Sequence, residues 1–466
     1  MSAVWTLGSL ADAAGGVLSG ADPATEVTGL SIDTRTLAAG EVYFAIKGVS
    51  MDGHRFVPAA YEAGAVAAVV SQPVDGPAIT VDEPLRSMER AASVARARLA
   101  PGVPVVAVTG SVGKTGTKEM LRLAFGAGGS VHASTASFNN HWGVPLSVAR
   151  MPAQSDAAIF EIGMNHAGEI TPLTKLARPT VAIVTTVGPV HLEFFESVAA
   201  IADAKAEIFL GLEPGGTAIV PADNEHSERL IAAAEAVGAR VMTFGTDDAD
   251  VALTAVDADG RLEARVGDEA VRFAMGAVGP HIQRNALAVL AALKVAGRNV
   301  AAGAAELARW APAKGRGRVV RLGVPGGEAV LLDDAYNANP TSMAAAIATL
   351  GRTPATRRVV ILGDMRELGE DSAALHRGLA PHLAEAHVRI VHTVGPMSHE
   401  LRQSLPETMR GEHFAAAADA LAALPAVLPG DAVLVKASLG TGLSPVVAAL
   451  EERYPSPEIS TGEADV

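Results

Sequence analysis

Cysteine is absent from the sequence, which excludes disulfide bonds, thiolate metal ligands and a cysteine nucleophile. Long apolar runs are missing as well: no stretch reaches the about 18 apolar residues that cross a bilayer. The first residues, MSAVWTLGSLADAAGG, lack the basic segment and apolar core of a secretory signal. We therefore expect a cytoplasmic protein that does not insert into membranes.

Basic residues are scarce, since 37 lysines and arginines stand against 51 aspartates and glutamates, for a formal net charge of −14. A surface that binds nucleic acid needs clustered positive charge to offset the phosphates. We therefore expect no nucleic-acid partner. Hydrophobic residues, by contrast, make up 49% of the chain, which is enough to build packed cores.

The length suggests several domains, because one core rarely serves 466 residues and roughly 150 residues per domain gives about three. A helical pattern at 86–100 runs into Pro101 and Pro104, where a helix must stop. The stretch APAKGRGRVVRL, at 311–322, interrupts the helical pattern again. We predict three domains, with the bounds 1–85, 86–311 and 312–466.

Buried-strand patterns alternate with helical patterns from residue 103 onward, which is typical of an α/β fold with a mainly parallel sheet. VPVVAVTG, AAIFEIG and VAIVTTVG each precede a helical stretch, and the alternation resumes after 322 with AVLLDDAYN, RRVVILGDM, RIVHTVG and DAVLVKAS. Between 241 and 278 an alternating pattern around an Asp-Gly pair predicts antiparallel hairpins added to the sheet. Residues 1–85 combine short strand patterns with a helical pattern, PAAYEAGAVAAV, which predicts a small α/β unit.

The stretch VAVTGSVGKTGT, at 106–117, joins a buried strand to an amphipathic helix that begins near Lys114. Backbone N–H groups and the helix dipole meet at such a junction, and glycine lets phosphate oxygens approach closely. Lys114 would add positive charge and Thr115 a hydroxyl ligand for Mg2+. A plain glycine-rich turn is the alternative, since Val108 stands where the strict Walker pattern has glycine. The nucleotide-binding interpretation predicts phosphate contacts from Gly110, Ser111, Val112, Gly113, Lys114, Thr115 and Gly116.

Polar side chains follow two further strands of the predicted sheet, Glu161 at the end of one and His191 just after another. Ligands gather beyond the carboxyl ends of parallel strands, so Thr115, Glu161 and His191 could converge on one Mg2+. Taken singly, Glu161 could be an ordinary exposed carboxylate and His191 a loop histidine. Lys205 lies on an otherwise apolar helical face, where a lysine usually extends to solvent. The residues alone leave these roles open.

Stretches along nearly the whole chain resemble the Mur ligase family. They are SIDTRTLAAGEVYFAIKG, DGHRF, TGSVGKTGTKEM, FNNHWGVPL, EIGMNHAGEI, GPVHLE, AKAEIF, HIQRNALA, DDAYNANPTSM and GDMRELGE. The phosphate loop alone would indicate only the wider group that includes folylpolyglutamate synthetases. YNANP and GDMRELG discriminate best, and they resemble the branch of the family that adds D-alanyl-D-alanine.

The resemblance implies an N-terminal domain for a UDP-sugar peptide, a central P-loop-type ATPase domain and a C-terminal Rossmann-like domain. The implied reaction is ATP-dependent amide formation. The γ-phosphoryl group of ATP activates the carboxylate of UDP-MurNAc-tripeptide, and the amine of D-Ala-D-Ala displaces the phosphate. We expect a monomer, and the third residue of the tripeptide, lysine or meso-diaminopimelate, is left open.

The resemblance also implies catalytic roles for Lys114, Glu161, His191 and Lys205. Two Mg2+ ions would be held through Thr115, Glu161, His191 and Lys205. In similar enzymes the lysine that matches Lys205 is carbamylated by CO2. Carbamylation needs a neutral amine, which an apolar setting favours because it lowers the pKa of lysine.

Further residues match the binding sites of the family. Nucleotide contacts are implied for Asn285, Arg318, Asp334, Tyr336 and Asn337. Substrate contacts are implied for Ser31, Thr34, Arg35, Asn139, Asn140, Asn339 and Lys436. Helix capping is the alternative for Asn285, and turn formation is the alternative for the polar loop residues.

One stretch departs from the family pattern. Similar proteins tend to have Val-Lys-Gly-Ser-Arg near the end, whereas this chain has VKASLGTGL, with Leu439 where the arginine is expected. An arginine contact to the substrate or the acyl phosphate is therefore in doubt. One rival function is a Mur-type ligase for another amino acid or for folate, against which YNANP and the N-terminal residues argue. The other is a nucleotide-binding regulator that has lost turnover, which Leu439 keeps open.

Overall fold

The computed structural model describes residues 3–48, 51–135, 138–257, 259–277 and 279–457. Backbone contacts divide the chain into two compact units. The first contains Met1–Val187 and Ala202–Trp310, and the second contains Gly188–Ile201 and Ala311–Val466. The domain bounds 1–85, 86–311 and 312–466 stay a prediction.

The start of the first unit is a small α/β layer. Its elements are β1 (Trp5–Thr6), α1 (Leu7–Ala14), β2 (Val17–Ser19), β3 (Glu26–Val27), β4 (Gly29–Ser31), β5 (Glu41–Phe44), α2 (Val57–Glu62), β6 (Ala67–Val70), β7 (Ala78–Thr80) and α3 (Pro84–Ala97). Among the described residues, five strands form a sheet in the order β2-β7-β6-β5-β4, parallel except where β2 meets β7. The stretch PAAYEAGAVAAV is only half helical, because Gly64 adopts a φ of 97° after α2 and the chain continues as β6.

The rest of the first unit is built on a larger sheet. Its elements are β8 (Val105–Thr109), α4 (Lys114–Gly126), β9 (Val131–Ala133), α5 (Gly143–Ala149), β10 (Ala157–Glu161), α6 (Ile170–Ala177), β11 (Val181–Val184), α7 (Val198–Ala206), β12 (Thr217–Pro221), α8 (Ser227–Ala236), β13 (Arg240–Gly245), β14 (Val251–Val256), β15 (Leu262–Val266), β16 (Glu269–Phe273), α9 (Pro280–Val295) and α10 (Val300–Glu306). Helix α7 begins in the segment assigned to the second unit.

This larger sheet confirms the predicted parallel core with an antiparallel addition. Its strand order over the described residues is β16-β15-β14-β13-β12-β11-β8-β10-β9. Every pairing from β9 to β14 is parallel, and β14, β15 and β16 pair antiparallel. Met120 of α4, Leu290 of α9 and Phe244 of β13 belong to one buried apolar cluster. Strand β8 lies between β10 and β11, so the loop after β8 is flanked by the ends of both neighbours.

The second unit is an α/β layer of its own. Its elements are β17 (Arg318–Val324), β18 (Gly327–Asp334), α11 (Pro340–Arg352), β19 (Arg357–Gly363), α12 (Ser372–Arg377), α13 (Ala380–Glu385), β20 (Ile390–Val394), α14 (Pro396–Ser404), β21 (Arg410–Phe414), α15 (Ala417–Ala422), β22 (Asp431–Lys436) and α16 (Ser444–Arg453). The described strands follow the order β17-β18-β22-β19-β20-β21, and only β17 pairs antiparallel to its neighbour. Apolar clusters that include Leu322 and Leu450 in one case and Ile347 and Leu383 in the other bury strand side chains against helices, as a Rossmann-like sheet requires. Over the residues that the structure describes, we find no helix with the length and apolar character needed to span a bilayer.

Candidate active site

The loop between β8 and α4 has the backbone of a phosphate-binding loop. Gly110 and Gly113 have φ values of 147° and 86°, which side-chain-bearing residues rarely adopt. A Cβ at Gly110 would lie 1.9 Å from Thr185 Oγ1, so only glycine fits there. Thr185, the residue after β11, donates from its Oγ1 to the carbonyl of Val112 at 2.6 Å and so holds the loop. Helix α4 begins at Lys114, as predicted, so the positive end of its helix dipole adjoins this loop.

Asn285 packs against the same loop from helix α9. A Cβ at Gly113 would lie 2.6 Å from Asn285 Nδ2, and the asparagine is only 7% exposed. Helix α9 begins at Pro280 and its N-cap is Gly279, so Asn285 lies inside the helix. The capping alternative for Asn285 is therefore wrong, and its amide adjoins the phosphate loop.

We expect Gly113→Ala to weaken ADP binding by at least about tenfold, because the added methyl group must displace Asn285 or the loop. Gly102→Ala is the matched control: Gly102 has a similar φ of 83°, and a Cβ there meets nothing within 4 Å. Both substitutions force alanine into the left-handed region, at a cost of about 1–2 kcal/mol. Calorimetric titration with ADP separates the two effects. Equal ADP affinities in the two variants would mean that this packing does not matter for nucleotide binding.

Thr115, in the first turn of α4, and Glu161, the last residue of β10, are in direct contact. Thr115 Oγ1 donates to Glu161 Oε2 at 2.8 Å, and Asn139 Nδ2 donates to Glu161 Oε1 at 2.7 Å. Glu161 is 1% exposed, so the alternative of an ordinary exposed carboxylate is wrong. Asn139 is a hydrogen-bond partner of the buried carboxylate, and its substrate contact stays a prediction.

The surroundings of Glu161 suit a hard cation. Its carboxylate accepts hydrogen bonds from neutral groups, and no lysine, arginine or histidine forms an ion pair with it within the described ranges. A buried carboxylate without a positive partner is costly, and oxygen ligands are those that Mg2+ prefers. No group of three or more histidine, aspartate or glutamate side chains that could hold a metal occurs among the residues described. A metal bound to Glu161 would therefore need further oxygen ligands, such as the hydroxyl of Thr115, water or the phosphate oxygens of a nucleotide.

Lys205, near the end of α7, is buried rather than extended to solvent. It is 1% exposed, so the solvent-facing alternative is wrong. Burial, and then the positive charge of Lys114, hold the pKa of Lys205 well below the ordinary lysine value. In the part of the chain that the structure describes, no carboxylate forms an ion pair with Lys205. The lowered pKa of Lys205 favours the neutral amine, which is the nucleophilic form.

Lys114 and His191 lie in different units. Lys114 Nζ donates to the carbonyl of Gly110 at 2.6 Å, within the phosphate loop of the first unit. His191 belongs to the second unit, where its Nδ1 lies 2.5 Å from Glu367 Oε2. The four-residue metal site of Thr115, Glu161, His191 and Lys205 stays a prediction.

In the second unit, three residues predicted to bind ligands are connected through Lys436. This lysine is 1% exposed, and its Nζ donates to Asp334 Oδ2 at 2.6 Å and to the carbonyl of Asn337 at 2.7 Å. Asp334 and Lys436 are register partners at the ends of β18 and β22. Lys436 therefore fixes the loop that follows β18, and its predicted substrate contact is untested.

The nearby aromatic and arginine side chains have partners of their own. The guanidinium of Arg316 lies 4.1 Å from the ring centroid of Tyr336. Arg318 donates to Asp333 Oδ2 at 3.3 Å and also pairs with Glu451. The nucleotide contacts of Tyr336 and Arg318 stay predictions.

Several predicted substrate residues also stabilise turns. Ser31 Oγ donates to the carbonyl of Asp33, Asn140 Oδ1 accepts from two backbone N–H groups, and Asn339 caps α11 by accepting from the N–H of Ser342 at 2.8 Å. Arg35 pairs with Asp33 and lowers the pKa of that carboxyl, and Thr34 is half-buried. Their substrate contacts stay predictions.

Arg366 and Glu367, both in the GDMRELGE stretch, have no role predicted from the sequence. Arg366 donates to the carbonyl of Gly440 at 2.6 Å, beside Leu439, which is 57% exposed. The loop in which Leu439 replaces the expected arginine is therefore contacted by a different arginine, Arg366. The GDMRELGE stretch follows β19, at the carboxyl end of a parallel strand. That position is the sequence signal that could have pointed to a functional role for it.

Comparisons with known proteins agree with this geometry. The chain matches models described as Mur ligase family, catalytic domain (residues 26–107), Mur ligase middle domain (108–293) and Mur ligase, glutamate ligase domain (315–439). The UDP-N-acetylmuramoyl-tripeptide–D-alanyl-D-alanine ligase of Escherichia coli is 34% identical over 460 residues, which cover 96% of this chain and 98% of that protein. The enzyme of the same name from Synechocystis sp. is 32% identical over 449 residues, covering 92% and 93%.

Solved structures agree as well. A crystal structure of MurF from Acinetobacter baumannii superposes with a TM-score of 0.82 at 28% identity, covering 96% of this chain and 99% of that one. MurF ligase from Thermotoga maritima in complex with ADP gives a TM-score of 0.75 at 26% identity, covering 91% and 98%. Given these matches over nearly its whole length, the chain belongs to the Mur ligase family.

Proposed function

We propose that this chain is the ATP-dependent ligase that joins D-alanyl-D-alanine to UDP-N-acetylmuramoyl-tripeptide during peptidoglycan precursor synthesis. The names of relatives that align over more than nine-tenths of the chain support this substrate pair. The structural observation that carries the proposal is the contact between Thr115, at the start of the phosphate-loop helix, and buried Glu161. A phosphate loop beside an uncompensated carboxylate is suited to a metal-bound nucleoside triphosphate.

The chemistry requires activation of a poor electrophile. The tripeptide carboxylate attacks the γ-phosphorus of ATP, the bond from that phosphorus to the bridging oxygen breaks, and ADP leaves. The amine of D-Ala-D-Ala then attacks the acyl phosphate, loses a proton and expels inorganic phosphate. The chain contributes positioning and positive charge, and Lys114 supplies that charge at the loop.

The metal and carbamate roles are proposals on the same basis. Bound Mg2+ would neutralise charge on the phosphate oxygens, and two ions are proposed. Thr115 and Glu161 offer oxygen ligands, His191 offers an imidazole, and Lys205 would offer the carboxylate-like oxygens of a carbamate. The burial of Lys205 supports the carbamate, because the neutral amine is the form that reacts with CO2.

The remaining proposed contacts follow the match to the family. Nucleotide contacts are proposed for the loop 110–116 and for Asn285, Arg318, Asp334, Tyr336 and Asn337. Substrate contacts are proposed for Ser31, Thr34, Arg35, Asn139, Asn140, Asn339 and Lys436. We also propose that the enzyme acts as a cytoplasmic monomer, which suits a reaction that consumes ATP and a nucleotide-linked precursor.

Phosphate release tests the function directly. We expect release from ATP to depend on both UDP-MurNAc-tripeptide and D-Ala-D-Ala, and the pentapeptide product to accumulate in equal amount. Replacing D-Ala-D-Ala by single amino acids, or the tripeptide by folate, is the control for the rival ligases. Release with one of those substrates instead, or no release with any, would contradict the proposal.

A further inference from the structure

The GDMRELGE stretch follows strand β19 and has no role in the function described so far. Its backbone is held firmly: Met365 N–H donates to Nε2 of the fully buried His376 at 2.9 Å, and Asp364 Oδ1 accepts from Ser398 N–H at 2.7 Å. His376 Nδ1 in turn lies 2.7 Å from the carbonyl of Ser372, which fixes the histidine ring. These hydrogen bonds hold the part of the loop that precedes Glu367 in place.

Glu367 faces the segment Gly188–Ile201, which belongs to the same unit. Its Oε2 lies 2.5 Å from His191 Nδ1, and its backbone carbonyl accepts from the N–H of Glu193 at 3.4 Å. Glu367 and His191 have φ values of 60° and 55°, although neither is glycine. Backbone held in this region is unfavourable and collects at functional sites.

A stabilising role is a weak explanation for this pair. The side chains of His191 and Glu367 are 22% and 42% exposed, and exposed ion pairs contribute little to folding stability. The strained backbone at both residues is better explained if the orientation of the His191 ring has to be fixed.

The contact determines which nitrogen of His191 can bind a metal. A carboxylate at Nδ1 keeps a proton on that nitrogen, so Nε2 carries the lone pair and the ring orientation is fixed. Metal-binding histidines almost always donate their other N–H to such an acceptor, which also makes the ligand more basic.

We propose that Glu367 is a positioning residue that fixes the ring and the tautomer of His191 for metal binding through Nε2. The inference rests on the proposed function, in which His191 is a metal ligand. It assigns a chemical task to the GDMRELGE stretch.

Metal affinity tests the inference without relying on turnover. Mn2+ binding to the ADP-loaded protein, followed by electron paramagnetic resonance, is expected to weaken about 10- to 100-fold in Glu367→Ala. Glu367→Gln keeps an acceptor for the Nδ1 proton, so an intermediate loss is expected. Glu370→Ala, which removes an exposed carboxylate three residues away, is the matched control and is expected to bind Mn2+ as the parent does.

A double-mutant cycle with His191→Ala separates positioning from general structural damage. In the His191→Ala background, Glu367→Ala is expected to cause no further loss of Mn2+ affinity. Thermal unfolding without metal is expected to be similar in Glu367→Ala and Glu370→Ala. Losses that multiply in the double variant, or a lower melting temperature in Glu367→Ala with unchanged Mn2+ affinity, would overturn the inference.

The outcomes distinguish this inference from the function on which it rests. If His191→Ala loses Mn2+ affinity and Glu367→Ala does not, the positioning role is refuted and the ligase function stands. If neither variant changes Mn2+ affinity, the ligand role of His191 fails together with the inference. The dependence of phosphate release on both substrates reports the function separately.

Discussion

Replacing Lys205 by alanine is expected to abolish ligation, with a loss of at least about 100- to 1,000-fold in kcat. The reason is that the substitution removes the proposed carbamate oxygens. Lys205 is 1% exposed, and among the described residues no carboxylate pairs with it that could replace those oxygens. A short carboxylate such as acetate, or bicarbonate, is expected to enter the space that the side chain leaves and to restore part of the activity.

Lys175→Ala is the control for this experiment, because Lys175 is an exposed lysine on α6. It is expected to retain parental activity and to show no response to added carboxylate. Full activity in Lys205→Ala, or a loss that no carboxylate restores in a folded protein, would contradict the carbamate role.

The lowered pKa of Lys205 also sets the sign of a pH effect. An amine reacts with CO2 only when neutral, that is, above its pKa, so a lowered pKa extends reaction to lower pH. With carbon-13-labelled CO2, the parent protein is expected to show a carbamate resonance near neutral pH that Lys205→Ala lacks. The same resonance in both proteins would assign the modification to another amine.

Replacing Lys114 by alanine is expected to be as damaging as the loss of Lys205. Its ammonium lies at the phosphate loop, 2.6 Å from the carbonyl of Gly110, and is the positive charge proposed to act on the transferred phosphoryl group. Lys114→Arg is not expected to rescue, because a planar guanidinium is larger than the ammonium that the loop accommodates.

ADP formation in the presence of both substrates measures this effect, again with Lys175→Ala as control. Because the charge of Lys114 contributes to the low pKa of Lys205, Lys114→Ala is also expected to shift that pKa upward. Unimpaired ATP turnover in Lys114→Ala would remove the phosphate loop from the mechanism.

The larger sheet could be predicted from sequence because buried parallel strands are continuous apolar runs between helices. The stretch VPVVAVTG contains strand β8, and the helix predicted to begin near Lys114 begins there. The alanine-rich stretch PAAYEAGAVAAV was harder, because alanine fits both a helix and a buried strand. Only the glycine at 64 marks the change, and its φ of 97° ends the helical path.

The site could be predicted only in part. Thr115 begins the helix that follows β8, and Glu161 ends the neighbouring parallel strand β10, so both lie at the same edge of the sheet. The contact of His191 with Glu367 joins residues 176 positions apart, and no local pattern encodes it. The burial of Lys205 likewise depends on tertiary packing, which overrides the usual preference of lysine for solvent.

Isotope transfer tests the central claim most directly. If the tripeptide carboxylate is labelled with oxygen-18, attack on the γ-phosphorus of ATP carries one of its oxygens into the phosphate that D-Ala-D-Ala later expels. Mass spectrometry of the released phosphate is therefore expected to find one labelled oxygen for each amide bond formed. Unlabelled phosphate, released while pentapeptide forms, would contradict the acyl-phosphate route and the account built on it.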